Sequence, residues 1–316
     1  MLRKWVTLAP LVTGALWAHQ ALSQTPPAAK PAESKPAAVV NGTAIPMADV
    51  EAGIKARGGF RPDLPDAKRR EAQMYILSNL IDDLLLQQFL NKSGIKADAA
   101  EVKKQIEDLE AALKQEKKTL QDYCRENFIT EAKLRSGAAC YAQWTSYVNS
   151  HVSDKDLKKF FDEARDFFDG TTVHVSHIMM KVAPNADEAQ RKEVKDKLLA
   201  IRAHIVAGKL DFADAAKKYS QSESAASGGD LGFIQRKGDV EEPFAKAAFA
   251  MKSGEVSDVV ATEFGLHLIK VIERKPGPAA DFDKIKDRVH YCCVAELREA
   301  ILAEQRKAAK IEINLP

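Results

Sequence analysis

Little in this 316-residue chain is in excess, and its scarcities narrow what it can do. Aromatic residues make up 7%, and the four cysteines, Cys124, Cys140, Cys292 and Cys293, include no Cys-x-x-Cys pair, so zinc spacing is absent. No apolar run reaches the ~20 residues of a membrane span. Formal charge is +2, and setting aside Arg3 and Lys4, which lie in a segment expected to be removed, leaves 45 basic residues against 45 acidic. Bulk charge therefore gives no reason to expect nucleic acid. There is no Gly-x-Ser-x-Gly elbow and no phosphate-binding glycine loop, and His19, His151, His174, His204 and His290 have no metal-ligand spacing. A hydrolase triad of Ser222, His267 and Asp230 would rest on residue types alone. What is present, 45% hydrophobic and 29% charged residues, excludes a wholly disordered chain and suits about two domains of ~150 residues.

Arg3 and Lys4 precede the apolar stretch Trp5–Ala18, and Ala21-Leu22-Ser23 supplies a cleavage site. This is the order of a secretory signal peptide over residues 1–23, and it predicts export. Residues 24–37, with Pro26, Pro27, Pro31 and Pro36, read as an extended linker.

Residues 38–170 begin with Val39-Val40-Asn41-Gly42-Thr43-Ala44-Ile45, where Asn-Gly between apolar residues predicts a hairpin. Helices follow. Asp66 is the expected cap of one carrying Met74, Leu77, Ile81, Leu84, Leu85 and Phe89, and Val102, Ile106, Leu109 and Leu113 mark a second. Residues 119–127, 130–150 and 153–168 read as three more. Around Gly170 the texture changes, and residues 171–275 form an α+β pattern. Its expected strands are Val173–Met180, Leu231–Ile234, Val256–Val260 and Gly265–Ile272. Helices are expected at 186–207, 211–219 and 242–251. Lys275-Pro276-Gly277-Pro278 closes the pattern. Residues 276–316 hold one long helix, 282–309, and a final apolar segment that must dock elsewhere.

Six blocks stand in a recognisable order: Ser176-His177-Ile178, Tyr219-Ser220, Gly228-Gly229-Asp230-Leu231-Gly232, Pro243-Phe244, Gly254-Glu255 and Phe264-Gly265-Leu266-His267. In that register residues 171–275 resemble the parvulin-type peptidyl-prolyl cis/trans isomerase domain. Val39–Ile45, Lys92–Ile95, Leu120–Asn127, Val152–Asp154 and the closing helix and strand resemble the chaperone region of exported SurA- and PrsA-like folding factors.

The resemblance implies an α+β fold: a twisted antiparallel sheet flanked by helices, inserted into a mainly helical SurA-like domain. It implies His177 and His267 on adjacent central strands, hydrogen-bonded beneath the substrate proline, with Ser222 and Thr262 as further catalytic residues. Leu231, Val240, Phe244 and Phe264 would line the proline site. Ser222 departs from the aspartate or cysteine of relatives, and its loop lacks the usual Asp-Pro-Gly form. Lys181 is the one lysine of Lys181-Val182-Ala183-Pro184-Asn185, so phosphate selectivity is not expected.

The expected partners are unfolded or nascent exported proteins, met through Xaa-Pro and aromatic-rich segments in the periplasm; the sequence leaves the oligomeric state open, a homodimer being one of the assemblies it allows. No metal, no cofactor and no stable membrane insertion are expected. The alternative function is a non-catalytic holdase. Because export places the four cysteines in an oxidising compartment, two disulfides from Cys124 and Cys140 to Cys292 and Cys293 are expected, clasping the helical domain.

Overall fold

The structure is a computed structural model that describes residues 35–183 and 186–315. The signal peptide, most of the linker, and Pro184 and Asn185 of the Lys181 segment lie outside the described residues. The chain divides into two compact units. One holds the chain up to Asp154 and again from Tyr291, and the other holds Lys155–His290. Among the described residues no helix is long and apolar enough to cross a membrane.

In the first unit, strands β1 (Ala38–Val40) and β2 (Thr43–Ile45) form the expected hairpin, with Asn41 and Gly42 both at positive φ, 50° and 82°. The other edge of β1 is taken by β7 (Ile311–Ile313), so residues some 270 apart in sequence lie side by side, Ala38 opposite Ile313. The helices are α1 (Met47–Lys55), α2 (Asp66–Lys92), α3 (Ala99–Gln115), α4 (Leu120–Glu126) and α5 (Glu131–His151), joined by the carboxyl-terminal part of α11 (Phe282–Ala308). Val40, Val50, Leu77, Ile81, Leu84, Leu85, Leu90 and Leu302 make their common core. The Thr119 and Thr130 side chains cap α4 and α5.

Asp66 does not cap α2. Pro65 takes that position and its carbonyl accepts the first helical bonds, from Lys68 and Arg69, while the Arg69 guanidinium ties back to Leu64 and Pro62 oxygens. Helix α11 docks on α2 through charge: Arg306 Nε donates to Asp82 at 2.6 Å and its Nη2 to Ser78 Oγ at 2.8 Å, and Arg298 stands 3.4 Å from Asp83. Burial raises the Asp83 carboxyl to about 7, against the opposing pull of Arg298.

Cys124, Cys140, Cys292 and Cys293 form no disulfide in the structure. Cys140 packs against the apolar core, where burial and the neighbouring Asp83 push its thiol up to about 11.

In the second unit β3 (Thr172–Met180), β4 (Asp230–Gln235), β5 (Val260–Thr262) and β6 (Gly265–Lys275) form an antiparallel sheet in the order β4-β3-β6-β5. One face carries Val173, Val175, Ile269 and Val271 against Phe244, Ala248 and Phe249 of α10 (Glu242–Ala250). The opposite face packs Ile178 and Leu268 against α8 (Glu188–Val206) and α9 (Phe212–Tyr219). Of the strand expected at Val256–Val260, the structure keeps the start of β5, at Val260, and a bridge from Val256 to Lys270. Here the Ser257 hydroxyl accepts the Ile269 N–H, so a side chain replaces the next ladder bond.

The helix expected over 153–168 is two helices, α6 (Asp154–Glu163) and α7 (Arg165–Phe168), because the backbone breaks at Ala164. The break lets Phe168 fold back onto Phe160 and Phe161, at ring separations of 5.9 and 5.6 Å. The second unit thus begins before the change of texture at Gly170, held by the Arg274–Asp166 ion pair and by Phe161 against Phe282.

The chain's entry to the sheet and its exit from it are stitched together. Gly277 N donates to Thr171 Oγ1 at 3.2 Å, and a Cβ at Gly277 would stand 1.8 Å from the Asp169 carbonyl oxygen. Gly277→Ala is expected to destabilise the second unit by about 2–3 kcal/mol, because backbone must move to admit the methyl. Urea unfolding of the full chain, followed by hydrogen exchange of β3 and β6 amides, measures it.

Candidate active site

Two histidines on neighbouring strands meet only if they share a face of the sheet, and here bulges arrange it. Below the site β3 pairs with β6 as His174 opposite Glu273; above it Val175 stands opposite Val271 and His177 opposite Ile269. Ile272 is the extra residue. It shifts the register by one, so that Met179 lies opposite His267 and the two imidazoles lie diagonally on one face. Edge strand β4 has its own bulge at the next residue of β3, where Leu231 is the extra residue between the pairs Val175–Gly232 and Ser176–Asp230.

His177 and His267 are both buried, and their Nδ1 atoms stand 3.3 Å apart. Phe244 of α10 closes the pair from one side, its ring edge-on to both imidazoles at 5.8 and 5.6 Å. The outer nitrogens are also occupied. His267 Nε2 is 2.8 Å from Thr262 Oγ1, and His177 Nε2 is 2.9 Å from Ser222 Oγ and 3.1 Å from Ser224 Oγ. A line of hydrogen bonds thus runs Thr262–His267–His177 and ends on two serines.

The loop that presents those serines follows α9 and is fastened to β3. Gln221 N donates to the Met179 carbonyl at 2.7 Å, Met179 N to Ser220 Oγ at 3.1 Å, and Lys181 N to Gln221 Oε1 at 2.6 Å. Ser222 then caps a short 3-10 turn, Glu223–Ser227. The turn ends at Ser227 with Gly228 as its cap, and the next residue, Gly229, accepts the His177 N–H on its carbonyl at 2.8 Å; a Cβ at Gly229 would fall 2.1 Å from the His177 carbonyl oxygen. Backbone and side chain of His177 are therefore both held by this one loop, without the Asp-Pro-Gly form of relatives.

Burial is the main influence on both rings. It lowers His177 below its usual value, and with the nearby His177 it takes His267 from 6.5 to about 4, against an opposing pull from Glu241. Both imidazoles are neutral at pH 7. Neutral rings that are already hydrogen-bonded on every nitrogen orient their neighbours rather than shuttle protons.

Of the residues singled out in the sequence, the structure gathers His177, His267, Thr262, Ser222 and Phe244 into this one contact network. Phe264 is next to it, its N–H donating to Thr262 Oγ1 at 3.1 Å and its ring 62% exposed. Val240 packs against the core that contains Phe244. Leu231, 36% exposed, stands on the β4 bulge beside the loop. Asp230 organises that turn, accepting from Gly232 N at 2.8 Å and pairing with His174 at 2.7 Å. Sequence reasoning passed over Ser224, although the alternation Ser220-Gln221-Ser222-Glu223-Ser224 carried the signal.

Known proteins are similar to this chain over most of its length. Residues 177–273 match the profile of the rotamase, or PPIC-type PPIase, domain, and residues 5–139 match that of the SurA-like N-terminal domain. A foldase protein PrsA of Clostridium botulinum is 30% identical over 260 residues, covering 77% of this chain and 74% of its own length. The foldase protein PrsA of Bacillus subtilis is 30% identical over 231 residues, covering 72% and 68%. A crystal structure of the peptidylprolyl isomerase PrsA from Bacillus anthracis is 22% identical and superposes with a TM-score of 0.40, covering 75% of this chain and 99% of that one.

The depressed histidines fix a pH dependence. The unfolded chain takes up protons near 6.5, whereas folded His267 resists them until about 4. Stability of the second unit is therefore expected to be full above about pH 6.5 and to decline as pH falls toward about 4. Chemical denaturation at stepped pH measures the decline. Nitrogen-15 NMR of the rings is expected to show His267 neutral at pH 5.5.

Proposed function

The chain belongs to the PrsA foldase family, with a PPIC-type isomerase domain within a SurA-like helical domain, and we propose that His177, Ser222, Thr262 and His267 carry its catalysis of Xaa-Pro isomerisation. It is an exported folding factor and a peptidyl-prolyl cis/trans isomerase. In this reading residues 171–275 turn over prolyl bonds, and residues 38–170 with 276–316 hold the unfolded client.

The observation that carries the reading is the buried, neutral His177–His267 pair, closed by Phe244 and hydrogen-bonded outward to Thr262 and Ser222. A prolyl bond rotates slowly because amide resonance sets a barrier of ~18–20 kcal/mol. No covalent bond breaks, so the site needs neither nucleophile nor proton transfer. It must favour the twisted amide, whose nitrogen is pyramidal and whose carbonyl has lost conjugation. Val240, Phe244, Phe264 and Leu231 grip the proline ring and exclude water. A fixed hydroxyl at Ser222 then meets the turning carbonyl in a dry site, where a hydrogen bond counts for more than in water. The imidazoles fix the direction of that hydroxyl and the spacing of the strands.

Clients would be unfolded exported proteins, engaged at Xaa-Pro and aromatic-rich segments without phosphate selectivity. Residues 1–23 would act as a cleavable signal delivering the chain to the periplasm, and two copies would associate as a homodimer.

Exchange NMR on short Xaa-Pro peptides, with the mature chain at a catalytic ratio, tests the catalytic assignment. Accelerated cis/trans exchange is expected, and His267→Ala is expected to lower kcat/KM about tenfold, equivalent to ~1.4 kcal/mol of transition-state stabilisation. Full activity in His267→Ala would overturn the assignment. A wild-type chain that accelerates none of the peptides would leave client holding as the activity.

A further inference from the structure

Ser224 belongs to the site, although neither the family profile nor its blocks of sequence draw attention to it. Its hydroxyl lies 3.1 Å from His177 Nε2 and 3.1 Å from Ser222 Oγ, and its N–H points at Ser222 Oγ from 3.4 Å. Two hydroxyls therefore share one imidazole nitrogen. Where their protons go decides whether the site can offer a donor to its substrate.

The direction of the chain of hydrogen bonds follows from its far end. Thr262 Oγ1 already accepts the Phe264 N–H at 3.1 Å. If His267 Nε2 also donated to it, the threonine proton would have no acceptor in the network. Donation from Thr262 to His267 Nε2 instead uses that proton within the network and sends the unmatched one to the serine end. His267 then carries its proton on Nδ1 and donates to His177 Nδ1, and His177 carries its own proton on Nε2, facing both serines. Each serine can accept from that N–H. One hydroxyl donates to the other, and one proton is left over.

Ser222 is the better placed to keep it. Its oxygen is the cap of the 3-10 turn and has three donors around it: His177 Nε2, Ser224 N and Ser224 Oγ. Its two lone pairs suit the two nearer donors, His177 Nε2–H at 2.9 Å and Ser224 Oγ–H at 3.1 Å, with the Ser224 N–H farther off at 3.4 Å, so the remaining direction for its own proton is outward. We propose that Ser224 is a positioning residue that donates its hydroxyl proton to Ser222 Oγ and so makes Ser222 a one-way donor to the substrate carbonyl. This rests on the isomerase reading of the same site. It also accounts for a serine at a position where relatives carry an aspartate or cysteine: the second hydroxyl supplies the polarisation that a lone serine lacks.

The test is a double-mutant cycle on the full mature chain, read by exchange NMR on an Xaa-Pro peptide. Ser224→Ala is expected to lower kcat/KM about fivefold, the scale of one lost hydrogen bond, with KM little changed. Ser224→Thr, which keeps the hydroxyl, is expected to restore activity to within about twofold of wild type. Ser222→Ala with Ser224→Ala is expected to be no slower than Ser222→Ala alone, because Ser224 then has nothing to polarise. Losses that multiply, or a Ser224→Ala variant equal to wild type, would overturn the proposal. Nitrogen-15 NMR separates it from the reading it rests on. A His177 protonated on Nδ1 rather than Nε2 removes the donor assignment even in an active enzyme. Peptide exchange that the wild-type chain fails to accelerate, with His177 protonated on Nε2, would instead remove the isomerase reading.

Discussion

One extra residue on β6 holds the site together. Side chains alternate across a sheet, so the faces shared by two strands are fixed by register. In the register that pairs His174 with Glu273, His177 and His267 would point to opposite faces. The bulge at Ile272 changes the register to the one that pairs His177 with Ile269, and both imidazoles turn toward α10. Phe244 then has two rings to close against, and Thr262, delivered by the short β5–β6 turn, has a nitrogen to reach. The neighbouring bulge at Leu231 lets β4 leave the ladder where the serine loop must come in. Without these two irregularities the same residues would make an ordinary sheet with a histidine on each side.

Burial supplies the chemistry that register makes available. Water is largely removed from His177 and His267, so the charged forms are disfavoured and the rings must spend their nitrogens on neighbours. Each ring nitrogen has a partner in the structure. The result is a set of dipoles fixed before substrate arrives, which suits a reaction in which only the electrostatics of an amide change. The helical unit uses buried charge differently. Asp82 and Asp83 on α2 receive Arg306 and Arg298 from α11, so that a helix with no core of its own is located by polar contacts beside the apolar seam.

Much of this was legible in the chain because it is local. The Asn41-Gly42 turn, the apolar spacing of α2 and the β-branched run of β3 each declare themselves within a few residues. The six sequence blocks carried both histidines and Phe244, and the resemblance they support extended to Thr262 just ahead of the last of them. What was illegible depends on partners distant in sequence. Nothing near Ala164 announces that the chain must break so that Phe168 can reach Phe160 and Phe161. Nothing near Val256 says that the Ser257 hydroxyl will stand in for a ladder bond. Ser224 could be read only as a polar loop residue until the fold brought the loop to His177. The cysteines are illegible for a related reason: compartment argues for bridges but says nothing of which residues the fold brings together, and the structure joins none of the four.

Strand β1 lies between β2, its neighbour in the hairpin, and β7, almost the last segment of the chain. A chain emerging amino terminus first can close the hairpin at once, but one edge of β1 stays open until residue 313 arrives. The second unit ends at His290 and needs nothing beyond it to complete its sheet. Order of appearance therefore runs opposite to order of completion: the part begun first is finished last. Loop-closure entropy adds only slowly with length, so the delay costs little in equilibrium stability, but it does cost time. During that interval the open edge of β1 is a site for wrong pairing, and this folding factor passes through the vulnerable condition that it relieves in others.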